Sequence, residues 1–170
     1  MQLKKIGLGI IGSICFAVSV SNASIVVPMT LVDARGHGIK VGTIKLDDTI
    51  YGLILTPKLH DLPAGMHGFD VFTNPSCGNY AQAAGSHLDP EYTDTHRGPF
   101  RGSGHLGDLP VLMVNSHGYA KLPVLAPRLK ISQIVGRSLV IMAGGDNYSD
   151  TSQKEYANTI RIACGIITYH

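Results

Sequence analysis

The chain is predicted to be an all-β domain, either a sandwich or a barrel built from eight short strands. Helical periodicity is scarce after residue 23, whereas short runs rich in β-branched and aromatic residues recur along the chain. Turn signals rich in glycine, asparagine and aspartate, such as DARGHG, NSHG and GGDN, separate these runs. Short strands punctuated in this way are typical of sandwiches and barrels.

The predicted strands are, in order, SIVVPMTLVD, GIKVGTIKL, TIYGLILTP, GMHGFDVF, PVLMVN, YAKLPVLA, SLVIMAGG and IRIACGIITY. Each has a length and an apolar content suited to a strand. The segment LKISQIVGRS predicts a brief helical turn. Residues 73–109 differ from the rest, because they carry almost no strand signal and are rich in glycine and polar residues. A loop this long in a compact domain is usually functional or held by something other than a core.

The first 23 residues have the layout of a secretory signal peptide. Two lysines precede an apolar run from residue 6 to residue 20, and the small residues Ser21 and Ala23 suit a cleavage site. The apolar run is short for a bilayer span. The alternative is a hydrophobic N-terminal strand. We therefore expect residues 1–23 to be a signal peptide and residues 24–170 to form one periplasmic or secreted domain.

The charge balance argues against nucleic acid and anionic membranes as partners. The chain has 14 basic and 12 acidic residues, and two of the basic residues lie in the leader. The remaining chain is close to neutral, whereas both of those partners usually require a basic face. We expect no membrane insertion after signal cleavage. The partners left open are a second copy of the chain, as a homodimer, or another envelope protein.

Two cysteines, Cys77 and Cys164, lie outside the leader. In an exported chain such a pair most simply forms one disulfide. The alternative is two buried free thiols. Because Cys77 lies near the start of the long loop and Cys164 lies in the last predicted strand, a bridge between them would anchor the loop to the barrel.

Three histidines and one aspartate recur at regular spacing in the long loop. His87, His96, His105 and Asp108 follow the pattern H-x8-H-x8-H-x2-D. Three imidazoles and one carboxylate make a complete tetrahedral set for zinc, and a site closed by four protein ligands is typical of structural zinc. The alternative is that an exposed loop simply carries polar residues. The pattern favours one zinc ion per chain.

Six motifs resemble, in order and spacing, the secreted bacterial copper/zinc superoxide dismutases: NPSCG, AGSHLDP, THRGPF, GSGHLGDLP, AGGDNYSD and RIACGII. The resemblance covers nearly the whole chain after the leader. It implies an eight-stranded Greek-key β-barrel or sandwich with a long zinc-binding, disulfide-anchored loop.

The resemblance also implies roles for individual residues. The four residues of the regular pattern match the zinc ligands, and His87 matches the histidine shared between zinc and copper. Asp146 matches an aspartate that orients one histidine from each metal site. Arg161 matches the arginine that guides the superoxide anion. Cys77 and Cys164 match the disulfide of the family.

The resemblance fails at the copper site. The family binds copper through the shared histidine and three more, two of which form a His-x-His pair after His-Gly-Phe. Here those two positions are Asp70 and Phe72. The third lies two residues before the Gly-Gly-Asp-Asn turn and is Met142 here. His67 matches a histidine that binds no metal, and we expect it to form hydrogen bonds within the fold.

These replacements predict the loss of redox copper. Phe72 offers no lone pair, Met142 offers a thioether that holds Cu(II) weakly, and Asp70 is a hard oxygen donor unsuited to Cu(I). Phe72 and Met142 are expected to fill the vacated volume. A buried Asp70 needs a partner, and the candidates are Arg161 and the edge of the His87 ring that copper no longer occupies.

The expected function is therefore that of an exported superoxide dismutase-like protein that binds structural zinc and lacks copper. It would have no dismutase activity and would act as a zinc-stabilised scaffold, in binding or in zinc sequestration. The alternative is a dismutase that retains activity with an atypical copper or another redox metal. A Cu(I)-handling role through Met142 is a third and less favoured hypothesis. Fold alone does not separate them, since function resides in the site.

Overall fold

The structure is a computed structural model that describes residues 24–150 and 160–169, and the predicted signal peptide lies outside these residues. Within them the regular structure is almost entirely β, which confirms the predicted class. The elements in chain order are β1 Ser24–Leu31, β2 Lys40–Thr49, β3 Gly52–Leu59, β4 Gly65–His67, β5 Phe69–Phe72, a 3-10 helix Gln82–Ala84, β6 Leu112–Val114, β7 Val124–Ala126, α1 Ile131–Ile134, β8 Ser138–Met142 and β9 Arg161–Ile166.

Seven strands form one antiparallel sheet in the order β5-β8-β9-β1-β2-β3-β7, and β4 pairs with β6 separately. Strands β1, β2 and β3 are neighbours in the chain and in the sheet, whereas β9 returns from the far end to lie beside β1. A strand that returns beside the first by a long connection is the Greek-key arrangement. The sheet curls around one main core, to which β1 contributes Ile25, Val27 and Met29 from alternate positions.

The predicted strand GMHGFDVF is divided at Gly68 into β4 and β5. The Gly68 N–H donates to the Gly144 carbonyl at 2.7 Å, and the Met142 N–H donates to the Gly68 carbonyl at 2.9 Å. These bonds turn the backbone toward the end of β8, so β4 pairs with β6 while β5 pairs with β8. Along β5, Phe69 and Val71 face the main core, whereas Asp70 and Phe72 lie on the opposite face, where the long loop buries them.

The predicted helical turn is present as α1. Its Ile131 and Ile134 are buried, and the Ile131 N–H donates to Asp48 Oδ1 at 2.9 Å. That bond satisfies one of the N–H groups that the first turn of a helix leaves unpaired. Among residues 24–150 and 160–169, no helix is long and apolar enough to span a membrane.

The disulfide between Cys77 and Cys164 is formed, with Cα atoms 5.7 Å apart, so the cysteines are not free thiols. It attaches the start of the long loop to β9. The buried Ser138 hydroxyl of β8 supports the same segment, because it donates to the Asn74 carbonyl and accepts from the Ser76 N–H at 3.2 Å. The long loop is therefore held at its base by one covalent bond and several polar contacts.

Candidate metal centre

The structure brings His87, His96, His105 and Asp108 together, with one ligand atom from each lying within 4.8 Å of the others. The Nδ1 atoms of the three histidines lie 3.0, 3.0 and 3.2 Å from Asp108 Oδ1, in chain order. A tetrahedral ion with bonds of about 2.0 Å separates its ligand atoms by about 3.3 Å. The four side chains thus already have the spacing of metal ligands.

The backbone of the loop fixes Asp108 in this position. Its Oδ2 atom accepts hydrogen bonds from the Arg97 N–H at 3.1 Å and the Gly98 N–H at 3.0 Å, and its side chain is buried. Because Oδ2 is held by the loop, Oδ1 faces the three histidines. One carboxylate therefore links the loop backbone to the metal ligands.

The loop is also seated on β5. Gly107 accepts a hydrogen bond from the Val71 N–H at 2.9 Å and donates one to the Leu88 carbonyl at 2.9 Å. A Cβ atom at Gly107 would lie only 2.3 Å from the Val71 carbonyl oxygen, so no other residue fits without displacement of the backbone. This close approach places Asp108 beside Asp70 and His87 beside Phe72, on the face of β5 that the loop covers.

His96 is held from two directions. Its Nε2 atom lies 2.8 Å from both carboxylate oxygens of Asp146, and its backbone N–H donates to Asp150 Oδ1 at 2.6 Å. Its Nδ1 atom is buried and lies 3.0 Å from Asp108 Oδ1, and it has no hydrogen bond to any other described residue. Since Nε2 is bound to Asp146, Nδ1 is the nitrogen available to a metal ion.

The metal-free centre is a network of opposite charges. Burial alone would raise the pKa of Asp108, but hydrogen bonds and charges from His87 and His96 hold it well below its usual range. Burial alone would lower the pKa of His96, but hydrogen bonds to Asp108 and Asp146 raise it to about 10. Binding of a cation at His96 Nδ1 would therefore release a proton at neutral pH.

The three copper positions implied by the resemblance are closed to solvent. Asp70, Phe72 and Met142 are 2%, 1% and 7% exposed. The Phe72 ring packs edge-on against His87, with ring centroids 4.7 Å apart. The guanidinium of Arg161 lies over the same ring, with Cζ 4.2 Å from its centroid.

Asp70 forms no hydrogen bond with either of the partners expected from the sequence, although it lies within ion-pair distance of His87. Its Oδ1 atom lies 4.0 Å from His87 Nδ1, which is beyond hydrogen-bond distance and on the side of the ring that faces Asp108. Arg161 instead donates to the Ala81 and Gly85 carbonyls, and no ion pair joins it to Asp70 in the described structure. Burial raises the pKa of Asp70 to about 6.

His67 lies among backbone groups, as expected from the sequence. Its Nδ1 atom is 2.7 Å from the Met142 carbonyl oxygen, and its Nε2 atom is 2.8 Å from the Pro63 carbonyl oxygen. The residue is 2% exposed. It joins the end of β8 to the segment before β4 and does not face the four-residue cluster.

A cleft of about 720 Å³ lies above the closed copper positions. Its lining includes His87, Met142 and Arg161, together with the polar Gln82 and Asp94. The cleft gives solvent access to the edge of the His87 ring, while Arg161 covers Phe72.

Two residues at the centre escaped the sequence analysis. Asp150 binds the backbone of His96, and the Tyr148 hydroxyl accepts a hydrogen bond from the Val111 N–H at 2.8 Å. Both follow Asp146 in the motif AGGDNYSD, which was their only signal. Their contacts depend on tertiary structure, which spacing along the chain does not reveal.

The model of a protein family described as copper/zinc superoxide dismutase matches residues 40–167. The chain belongs to the copper/zinc superoxide dismutase family. It is 44% identical to superoxide dismutase [Cu-Zn] 2 of Salmonella typhimurium, over 97% of this chain and 99% of that protein.

Solved structures of copper/zinc superoxide dismutases resemble this fold. The enzyme from Brucella abortus is 41% identical and has a TM-score of 0.79, with 85% of this chain and 99% of the other covered. The monomeric enzyme from Salmonella enterica is 46% identical and has a TM-score of 0.75, with 86% and 100% covered. Membership of the superoxide dismutase family implies copper and zinc binding, and a group of residues able to bind a metal is present here.

Proposed function

We propose that this chain is an exported superoxide dismutase-like protein that binds one structural zinc ion and does not catalyse dismutation. The observation that carries the proposal is the closure of the copper positions by Asp70, Phe72 and Met142, three buried side chains of which none is histidine. Export rests on the signal-peptide layout of residues 1–23.

The donor set fits zinc. His87, His96 and His105 would bind through Nδ1 and Asp108 through Oδ1, since these atoms already converge. Imidazole nitrogen and carboxylate oxygen are ordinary zinc ligands, and a closed set of four is typical of a structural site. The ion would supply charge neutralisation and folding free energy, and the buried His96 Nδ1 atom would gain a partner.

The copper positions do not fit a redox centre. Dismutation needs a metal that cycles between two oxidation states, and zinc has no such chemistry. Phe72 fills the space beside His87 with a ring that carries no donor atom. Asp70 Oδ1 faces the Leu109 N–H at 3.4 Å, so its nearest hydrogen-bond donor is backbone. His87 and Met142 would remain as the main possible copper ligands that line the cleft. The family uses four histidines, so this set is too small.

The second candidate function is a dismutase that works with an atypical copper or another redox metal. Family membership favours it, and so does the position of Arg161 in the lining of the open cleft. In this candidate the metal would bind between His87 and Met142, both of which face the cleft.

Metal analysis separates the two candidates. Protein purified from the periplasm of an expressing bacterium should have lost residues 1–23 and should contain close to one zinc and no copper per chain. It should show no dismutase activity above that of free metal. Stoichiometric copper accompanied by activity would overturn the proposal in favour of the second candidate.

Restoration of the ligands sharpens the test. The triple variant Asp70→His, Phe72→His and Met142→His should bind copper in addition to zinc, whereas the wild-type chain titrated in parallel should not. Equal copper binding by wild type and triple variant would contradict the role assigned to these positions. The four zinc ligands provide the internal control, because the zinc content per chain should be the same in both proteins.

A further inference from the structure

The segment of residues 146–150, which follows β8, contacts the metal-binding loop at His96 and the chain just after the loop at Val111. Asp146 holds the His96 ring at Nε2, and Asp150 Oδ1 accepts from the His96 backbone N–H at 2.6 Å. The Tyr148 hydroxyl accepts from the Val111 N–H at 2.8 Å, just beyond the loop. The resemblance to the dismutases accounts for Asp146 alone, so the contacts of Tyr148 and Asp150 need their own explanation.

The Tyr148 ring supports the ligands as well as anchoring the segment. It packs on Gly98 so closely that a Cβ atom there would lie 2.7 Å from the ring. The Gly98 N–H in turn donates to Asp108 Oδ2. The ring is also 6.2 Å from the ring of His96, measured between centroids. Tyr148 thus confines the backbone that orients two of the four ligands.

We propose that Tyr148 and Asp150 are positioning residues that set the rate at which the bound metal ion leaves this centre. The inference rests on the proposed zinc function. An ion held by four ligands leaves only after a ligand has moved away, and in this inference the ligands that move first are His96 and Asp108, which the backbone of residues 96–98 orients. Asp150 ties that segment at His96, and Tyr148 blocks its movement at Gly98. Metal release therefore requires the 146–150 segment to separate from the loop.

The test measures the rate of zinc transfer from loaded protein to a chelator in excess. Tyr148→Phe removes the hydroxyl but keeps the ring, and Asp150→Ala removes the bond to His96. Each should accelerate release by about fivefold, the effect of losing one hydrogen bond. Tyr51→Phe is the matched control, since Tyr51 is 72% exposed in the turn between β2 and β3. Release from this control should match wild type.

Two further measurements separate positioning from a general loss of stability. Val27→Ala weakens the main core at a fully buried position of β1, and it should leave the release rate unchanged. The double variant Tyr148→Phe with Asp150→Ala should release zinc about 25-fold faster than wild type, because separation of the segment breaks both contacts and their free energies add.

Three results would count against the inference. Release from both single variants at the wild-type rate would overturn it, as would equal acceleration by Val27→Ala, which would mean that zinc leaves through global unfolding. A double variant that releases zinc no faster than the single variants would mean that release does not break both contacts. If the wild-type chain takes up no zinc at all, the proposed function itself fails, and that outcome is visible before any variant is compared.

Discussion

At the scale of single residues, Asp70 and Phe72 are buried on the same face of β5, but burial favours the phenyl ring and disfavours the carboxylate. Phe72 is satisfied by its surroundings, because Arg161 lies over its ring and His87 packs against its edge. A cation over an aromatic ring at a partly desolvated site contributes about 1 kcal/mol. Asp70 has one long hydrogen bond of 3.4 Å from the Leu109 N–H, and its charge lies 4.0 Å from His87 Nδ1. The carboxylate is therefore the unfavourable member of the pair.

The first prediction concerns Asp70 in the zinc-free protein. Burial raises the pKa of this carboxyl to about 6 from 3.8, so the folded state keeps a proton that the unfolded state has released. Stability due to this group is present below the unfolded value and is lost as pH rises through about 6. Asp70→Asn should therefore stabilise the protein by up to about 3 kcal/mol above pH 6 and have little effect near pH 4.

Chemical unfolding of zinc-free wild type and Asp70→Asn at pH 4 and pH 7.5 would measure this difference. Asp94→Asn, at an exposed aspartate that lines the cleft, is the matched control. An Asp70→Asn variant that is equally or less stable than wild type at pH 7.5 would contradict the prediction.

At the scale of elements, the long loop owes its shape to attachments rather than to regular structure. Apart from a 3-10 helix of three residues, it has no helix or strand between β5 and β6. The disulfide fixes its base to β9, and Gly107 fixes its far end to β5. Because both ends of the loop are attached to the sheet, its metal ligands are held in place although the loop has no hydrophobic core of its own.

The second prediction concerns the disulfide. Cys77 and Cys164 are separated by 87 positions, so the bridge removes much of the entropy of the unfolded chain. Replacement of both cysteines by serine should lower the free energy of unfolding by about 4 kcal/mol in the chain-entropy description. Urea unfolding of oxidised wild type and the double serine variant would measure the loss. Equal midpoints would show that the bridge does not stabilise the fold.

The third prediction concerns the contact of the loop with β5. Gly107→Ala forces a Cβ atom against the Val71 carbonyl oxygen, whereas Gly102→Ala in the same loop meets no atom within 4 Å. Gly107→Ala should destabilise the protein by about 1–3 kcal/mol and weaken zinc binding, because Asp108 must shift with its neighbour. Gly102→Ala should match wild type in thermal unfolding and zinc titration. Equal behaviour of the two variants would argue against the close contact.

At the scale of the whole molecule, the metal cluster joins parts of the chain that the sheet leaves apart. His87, His96, His105 and Asp108 come from the loop, while Asp146 and Asp150 come from the segment after β8. An ion bound only by the folded state stabilises that state in proportion to the logarithm of its concentration. Zinc is therefore expected to contribute to the stability of the entire domain.

The fourth prediction is that removal of zinc destabilises the domain. A free zinc concentration 1,000 times the dissociation constant adds about 4 kcal/mol, which corresponds to about 10 °C in melting temperature for a domain of this size. Calorimetry before and after chelation would measure the shift. The Asp108→Asn variant, which lacks one ligand charge, should show a much smaller shift with chelator. A melting temperature of wild type that chelation leaves unchanged would rule out structural zinc.

Sequence reasoning succeeded where the determining contacts are local. Alternation of apolar residues gave the strands, and the even spacing of His87, His96 and His105 gave the ligand cluster. Sequence reasoning did not predict features that depend on contacts between distant parts of the chain. The division of GMHGFDVF depends on bonds between Gly68 and residues more than seventy positions away. The surroundings of Asp70 and the contacts of Tyr148 have the same origin, because side-chain direction within the folded barrel decides them.

The four ligands occupy one continuous stretch, residues 87–108, whereas their supports arrive later in the chain at Asp146, Asp150 and Cys164. A chain is synthesised from its N-terminus, so the complete ligand set emerges from the ribosome before any of these supports. Closing 22 residues around an ion costs less entropy than closing the 87 positions spanned by the disulfide. The expected order of assembly is therefore ion first, bracing segment second and covalent bridge last.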